Sequence, residues 1–325
     1  MKDSQKIKER VQKHYTKAIE VRAGGATGGC CGPAKTEEPS RTSSGGCCGG
    51  GPSLVQLSGY QREELQTLPE DAVQSSFGCG NPVSFAGVEV GQTVVDIGSG
   101  AGIDCLLASQ RVGPAGRVIG LDMTPAMIER AKANAIAAGA GNVEFRLGDA
   151  ESMPIEDETA DWIVSNCVIN LAPDKKRVFR EAYRVLKPGG RISVNDIVAD
   201  IPRAFRSSEL YASCLSGALP EKEYLDAVSA AGFGDVTVVA RHVYDVEQLA
   251  GLFGDRGWVG ALLRFSARPR SRWLRAVIDR FLGKVASVQV SAVKPASARV
   301  AGSPQPARRR EVAEGWAVGV GPRGH

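Results

Sequence analysis

The stretch VVDIGSGAG, residues 94–102, decides the fold. A strand-like run, Val94 to Ile97, breaks into glycines at 98, 100 and 102, and a helical stretch begins where the glycines end. Such a turn aims backbone N–H groups and a helix N-terminus at whatever lies above it. Spacing then narrows the ligand. A dinucleotide loop follows G-x-G-x-x-G, whereas here Ile103 stands where the third glycine is needed. That speaks against a nicotinamide or flavin cofactor.

Working outward, strand-like and helical runs alternate. TVVDIG (93–98), GRVIGLDM (116–123), NVEFRLGDA (142–150), ADWIVSNCV (160–168) and GGRISVNDIV (189–198) read as strands. Helices are expected over 102–111, 124–138 and 174–186, with Thr124-Pro125 opening one and Lys187-Pro188-Gly189-Gly190 stopping another. This β-α-β-α rhythm predicts an α/β fold, a doubly wound and mostly parallel sheet with helices on both faces. Further on, helices are expected from about 207 and over 221–231, and strands over 235–243 and 286–295, with a broken helical stretch at 245–283 between the two strands.

The sequence divides into a flexible Cys- and Gly-rich arm (1–57), a core (58–200), a smaller C-terminal domain that completes the sheet (201–295) and a disordered tail (296–325). Its 325 residues, 43% apolar and 23% charged, suffice for a sizeable core. The charged start lacks a secretory signal, and no run approaches the roughly 18 apolar residues of a membrane helix. A cytoplasmic address and no membrane partner are expected. The net charge of +4 is modest, and its late basic runs, RPRSRWLR (268–275) and PARRRE (306–311), match no nucleic-acid reading motif. Nucleic acid is therefore not an expected partner.

In a reducing compartment, eight cysteines point to soft-ion binding or catalysis before a disulfide framework. The doublets Cys30-Cys31 and Cys47-Cys48 offer vicinal soft donors. Acids stand at strand ends: Asp122 after the second strand, Asp149 after the third, and Asp96 just before the glycines. A carboxylate-lined crevice suits a ligand with ribose hydroxyls and positive charge but no phosphate, which describes S-adenosylmethionine. The cofactor-binding candidates are Asp96, Gly98, Ser99, Gly100, Gly102, Asp122, Met123, Asp149, Ala150 and Asn166.

DIGSGAGIDC, GLDMTPAMIERAK, GDAESMP, SNCVINLAPDK and AYRVLKPGGRISVNDIV together resemble the class I S-adenosylmethionine-dependent methyltransferases, whose sheet is Rossmann-like. With FGCGNP and YASCLSGALP added, the chain is similar to the arsenite methyltransferases. The resemblance runs from about residue 70 to 245, and SVQVSAVKP matches the last strand. It implies that Cys79, Cys167 and Cys214 converge as catalytic thiols to hold As(III). It also implies arsenite or its glutathione conjugate as substrate, thioredoxin-like or glutathione reductants, and a role in arsenic detoxification. As(III) held by three thiolates keeps a lone pair and is itself the nucleophile, so a general base is not needed. Histidine is accordingly scarce, with only His14, His242 and His325. Cys105, on an apolar helix face, reads as core. Two other readings fit the residues: a methyltransferase for a quinone or similar small molecule, and an As(III)-binding protein without catalysis.

Overall fold

The computed structural model describes residues 2–23, 60–76, 78, 80–200, 215, 217–244 and 285–296. Strands β1 (Thr93–Ile97), β2 (Arg117–Asp122), β3 (Val143–Leu147), β4 (Ala160–Asn166) and β5 (Leu186–Val198) run parallel. β7 (Ala286–Val293) lies antiparallel between β5 and β6 (Gly234–Val243). The seven strands form one sheet in the order β3-β2-β1-β4-β5-β7-β6. The described part of the 201–295 region therefore completes the sheet, as its sequence predicts.

Helices α5 (Ile103–Val112), α6 (Pro125–Ala137), α7 (Lys175–Val185) and α8 (Glu221–Ala230) follow strands at the expected places. They divide the core into two apolar clusters. In β1, Val95 and Ile97 belong to the cluster that holds Phe179 and Tyr224, while Val94 joins Leu106, Ile128 and Trp162. That split is what alternation across a strand buried on both faces requires. β1 leads by way of β2 to β3 on one side, and the chain then returns to β4 on the other, so the strand order reverses between β1 and β4. Ligands of such sheets bind at the carboxyl ends of the strands beside that reversal.

Two expectations need correction. The predicted flexible arm begins with a helix, α1 (Lys2–Ala23). Val11, Tyr15 and Ile19 recur every four residues, and Val11 and Ile19 are buried, so an amphipathic stripe anchors a segment whose composition suggested only charge. The strand expected from 189 begins at Leu186 instead, so that it takes in the Lys187-Pro188-Gly189-Gly190 stretch that follows the end of α7. Its backbone is tied to the end of β7, with Gly189 N–H donating to the Lys294 carbonyl and Lys294 N–H to the Gly190 carbonyl, each at 2.8 Å. Before the sheet come three short helices, α2 (Arg62–Gln66), α3 (Glu70–Gln74) and α4 (Pro82–Phe85). The expected helix from 207, the stretch 245–283, both cysteine doublets and the tail from 297 onward lie outside the described residues.

Candidate active site

At the carboxyl edge of β1, β2 and β4 a cleft of about 990 Å³ opens, framed by the glycine loop, the ends of β2 and β4 and the face of α1. The loop is fixed from below: Gly98 and Ser99 both donate their N–H to the Leu121 carbonyl, at 2.7 and 2.9 Å. Gly98 adopts a φ of 76° and packs so closely on Val168 that a Cβ would fall 2.1 Å from its Cγ2. Gly100, at φ 52°, would point a Cβ into open space. One glycine is thus required by packing and the other leaves room for a ligand.

Asp122, the last residue of β2, accepts from Gly100 N–H at 3.1 Å and Thr124 N–H at 2.8 Å. Burial pushes its carboxyl above the usual carboxylate range, and these backbone donors oppose the rise. Two hydroxyl oxygens lining the cleft, Ser75 Oγ and Ser99 Oγ, are buried without a hydrogen-bond partner. Buried polar atoms without partners cost free energy, and a bound ligand with donors or acceptors relieves it.

Deeper in the cleft, Tyr60 donates to Asp104 Oδ1 at 2.8 Å, and Asn166 Nδ2 reaches Asp104 Oδ2 at 3.2 Å. Burial raises the Asp104 carboxyl to about 6 even though both donors favour its charged form. The Asn166 amide also ties down the loop that carries residue 79. It donates to the Gly80 carbonyl at 2.6 Å and accepts from Gly80 N–H at 3.1 Å. Beneath this layer, Asp96 is 1% exposed and its carboxylate accepts from Cys105 Sγ at 3.3 Å. Burial, reinforced by Asp104 nearby, pushes its carboxyl well up.

Cys167 follows β4 directly and is buried at the cleft wall. Its φ of 60° is uncommon for a residue with a Cβ, and its N–H donates to the Asn195 carbonyl at 2.7 Å. Cys167 is disulfide-bonded. The other described cysteine, Cys105, is free. Helix α1 crosses the opposite rim, contributing Lys8, Val11 and Tyr15 to the lining.

Of the residues singled out from the sequence, Gly98, Ser99, Gly100, Asp122, Met123, Asp149, Ala150, Asn166 and Cys167 all line this one cleft. Asp96 and Gly102 do not. Asp96 faces α5 rather than the ligand space, and Gly102 caps α5 at φ 94°, where a Cβ would sit 3.1 Å from Phe145. Cys79 and Cys214 lie outside the described residues. Cys105 is core, and His242 sits in β6 with its ring edge-on to Tyr244, 5.0 Å between centroids. Tyr60, Ser75, Asp104 and Lys8 were not read from the sequence. Asp104 did leave a trace, as a lone acid in the apolar run IDCLLA.

The family described as a methyltransferase domain matches residues 89–233. The chain is 39% identical over 245 residues to an arsenite methyltransferase of Halobacterium salinarum, covering 74% of this chain and 60% of that protein. It is 33% identical over 284 residues to the arsenite methyltransferase of Mus musculus, covering 83% and 70%. Among solved structures, an arsenic (III) S-adenosylmethionine methyltransferase from Chlamydomonas reinhardtii superposes with a TM-score of 0.56 at 30% identity, covering 75% of this chain and 74% of that one.

Sheet order, glycine loop and acid-rimmed cleft, together with these matches, define a methyltransferase that takes its methyl group from S-adenosylmethionine. The cleft fits that donor: it sets carboxylates at its rim and floor, leaves two hydroxyl oxygens without partners, and opens over Gly100. Within that class, the chain belongs to the arsenite methyltransferase family. It spans 60% of the length of the Halobacterium relative. Among the described residues, no helix is long and apolar enough to cross a membrane.

Proposed function

We propose that the chain transfers the methyl group of S-adenosylmethionine to trivalent arsenic held by Cys79, Cys167 and Cys214, yielding methylated arsenicals and so detoxifying arsenic. The observation that carries this reading is Cys167: it directly follows β4, is buried, and lines the same cleft as the glycine loop. When bound, S-adenosylmethionine supplies a methyl group made electrophilic by its sulfonium. Asp122, Asp149 and Asn166 serve as its polar contacts, with Ser99 adding the hydroxyl that lacks a partner.

The remaining work is positional. Three thiolates satisfy the three bonds of As(III) and leave its lone pair directed at the donor, so the site needs alignment more than acid–base chemistry. Asn166 supports alignment by joining the Gly80 backbone to the end of β4, next to Cys167. Methylation formally oxidises arsenic by two electrons. Two thiols return them by closing to a disulfide, which glutathione or a thioredoxin-like dithiol then reopens. Arsenite, free or as its glutathione conjugate, is the substrate.

The test is arsenite methylation in the presence of a thiol and S-adenosylmethionine, with methylated arsenicals identified by mass. Cys167→Ser and Cys214→Ser should each lose at least about a hundredfold in rate, while donor binding stays near that of wild type. Wild-type rates in both variants would defeat the proposal.

A further inference from the structure

The glycine-loop fold does not itself call for a helix ahead of it, yet α1 lies across the donor cleft and is bonded to residues at the ends of β2 and β3. Lys8 Nζ donates to Asp149 Oδ2 at 2.5 Å and to Glu151 Oε2 at 2.6 Å. One turn on, Gln12 Nε2 donates to the Met123 carbonyl at 2.9 Å. Val11, between these two attachments, and Tyr15, just beyond Gln12, line the cleft.

The anchor for Lys8 is itself rigid. Asp149 Oδ1 accepts from Glu151 N–H at 2.9 Å, which turns both carboxylates toward one point. Glu151 Oε1 accepts from Asp174 N–H at 2.8 Å, and Asp174 caps α7 by accepting from Arg177 N–H at 3.0 Å. Glu151 is 6% exposed, so this ion pair is shielded from water on one side. Burial works against the Lys8 charge, but its hydrogen bonds to both carboxylates and their negative charge outweigh it and raise the ammonium above its ordinary value.

We propose that α1 is a latch over the methyl-donor site and that Lys8 is its positioning residue, bridging Asp149 and Glu151 so that α1 must lift before the spent donor leaves. The inference rests on the donor reading of the cleft and is independent of arsenic. It assigns the charged start of the chain a part in the rate of turnover.

The test uses the full chain without arsenic. Dissociation of S-adenosylhomocysteine is followed by stopped flow, and affinities for it and for S-adenosylmethionine by calorimetry, at low and high salt. Lys8→Glu, which sets a third carboxylate against two others, should speed release roughly tenfold. Lys8→Arg should stay within about twofold of wild type, and Gln12→Ala should speed release only about threefold. Added salt should hasten release from wild type and leave Lys8→Glu nearly unchanged, because screening acts on the pair the variant lacks. Equal release rates in wild type and Lys8→Glu overturn the latch, as does a Lys8→Arg variant as fast as Lys8→Glu. A wild-type protein that binds neither compound would instead overturn the donor reading itself.

Discussion

Two tyrosine–aspartate pairs lie buried in the two apolar clusters of the core, and they differ in what else they touch. Tyr60 donates to Asp104 at 2.8 Å, and Tyr224 donates to Asp196 at 2.7 Å. Asp104 has donors on both oxygens and borders the donor cleft. Asp196 is fully buried, its Oδ1 has no partner, and the nearby Asn170 Oδ1 has none either. Burial lifts both carboxyls, Asp104 to about 6 and Asp196 to about 7. At Asp196 the Tyr224 hydroxyl, the Lys175 charge and the Asn170 backbone oppose the rise less successfully. The pair joined to site residues is satisfied, and the pair sealed in the core is not. The Asp104 network is complete where it holds the end of β4 still, whereas Ser75 Oγ and Ser99 Oγ of the same cleft have no partners.

The largest expected effect comes from cutting the satisfied network. Asn166→Ala removes the partner of both Gly80 backbone groups and a donor to Asp104. It should lower kcat/KM for arsenite about a hundredfold and stability by about 2–3 kcal/mol, read from initial rates and urea unfolding. A variant that loses stability but keeps its rate would erase the distinction between the two pairs.

A smaller effect separates the two carboxyls by pH. A folded-state value of about 7 at Asp196 stands above the unfolded value of about 4, so the folded protein binds that proton more tightly. Its contribution to stability is complete below about pH 4 and is lost as pH rises to about 7, at up to about 1.4 kcal/mol per pH unit. Urea midpoints between pH 5 and 8 should therefore fall with rising pH, and Asp196→Asn should flatten most of that slope. Asp104→Asn should remove only the part below about pH 6. Identical profiles for the two variants would mean that the second donor at Asp104 makes no difference.

The smallest effect concerns a hydroxyl awaiting a ligand. Ser99→Ala deletes a buried oxygen with no partner in the free protein, so stability should change by less than about 0.5 kcal/mol while donor affinity drops about fivefold by calorimetry. An unchanged affinity would place Ser99 Oγ with the orphaned core atoms rather than with the site.

The sheet was legible because its signals are local. Short strand runs rich in Val, Ile and Leu, glycines at 98, 100 and 102, and Thr124-Pro125 at a helix start each act over a few positions. Asp122 and Asp149 were legible for the same reason, since an acid just after a strand in a parallel sheet falls on the ligand edge. Asp96 lies one residue inside that edge. There the alternation of β1 turns its carboxylate against Cys105 of α5, nine positions along the chain. The Lys8–Asp149 contact spans 141 positions, and Tyr60 meets Asn166 across 106. No periodicity records such pairings, because they depend on how finished elements dock. The length of α1 was hidden likewise, its charged surface masking a stripe that is apolar only every fourth residue.

The packing of Gly98 against Val168 has a mechanical consequence. The loop that receives the methyl donor rests on the side chain next to the cysteine that follows β4, with no space for so much as a methyl group between them. Shifting one partner must displace the other. Under the proposed reaction, this contact links the position of the donor to that of the Cys167 thiol in the resting fold.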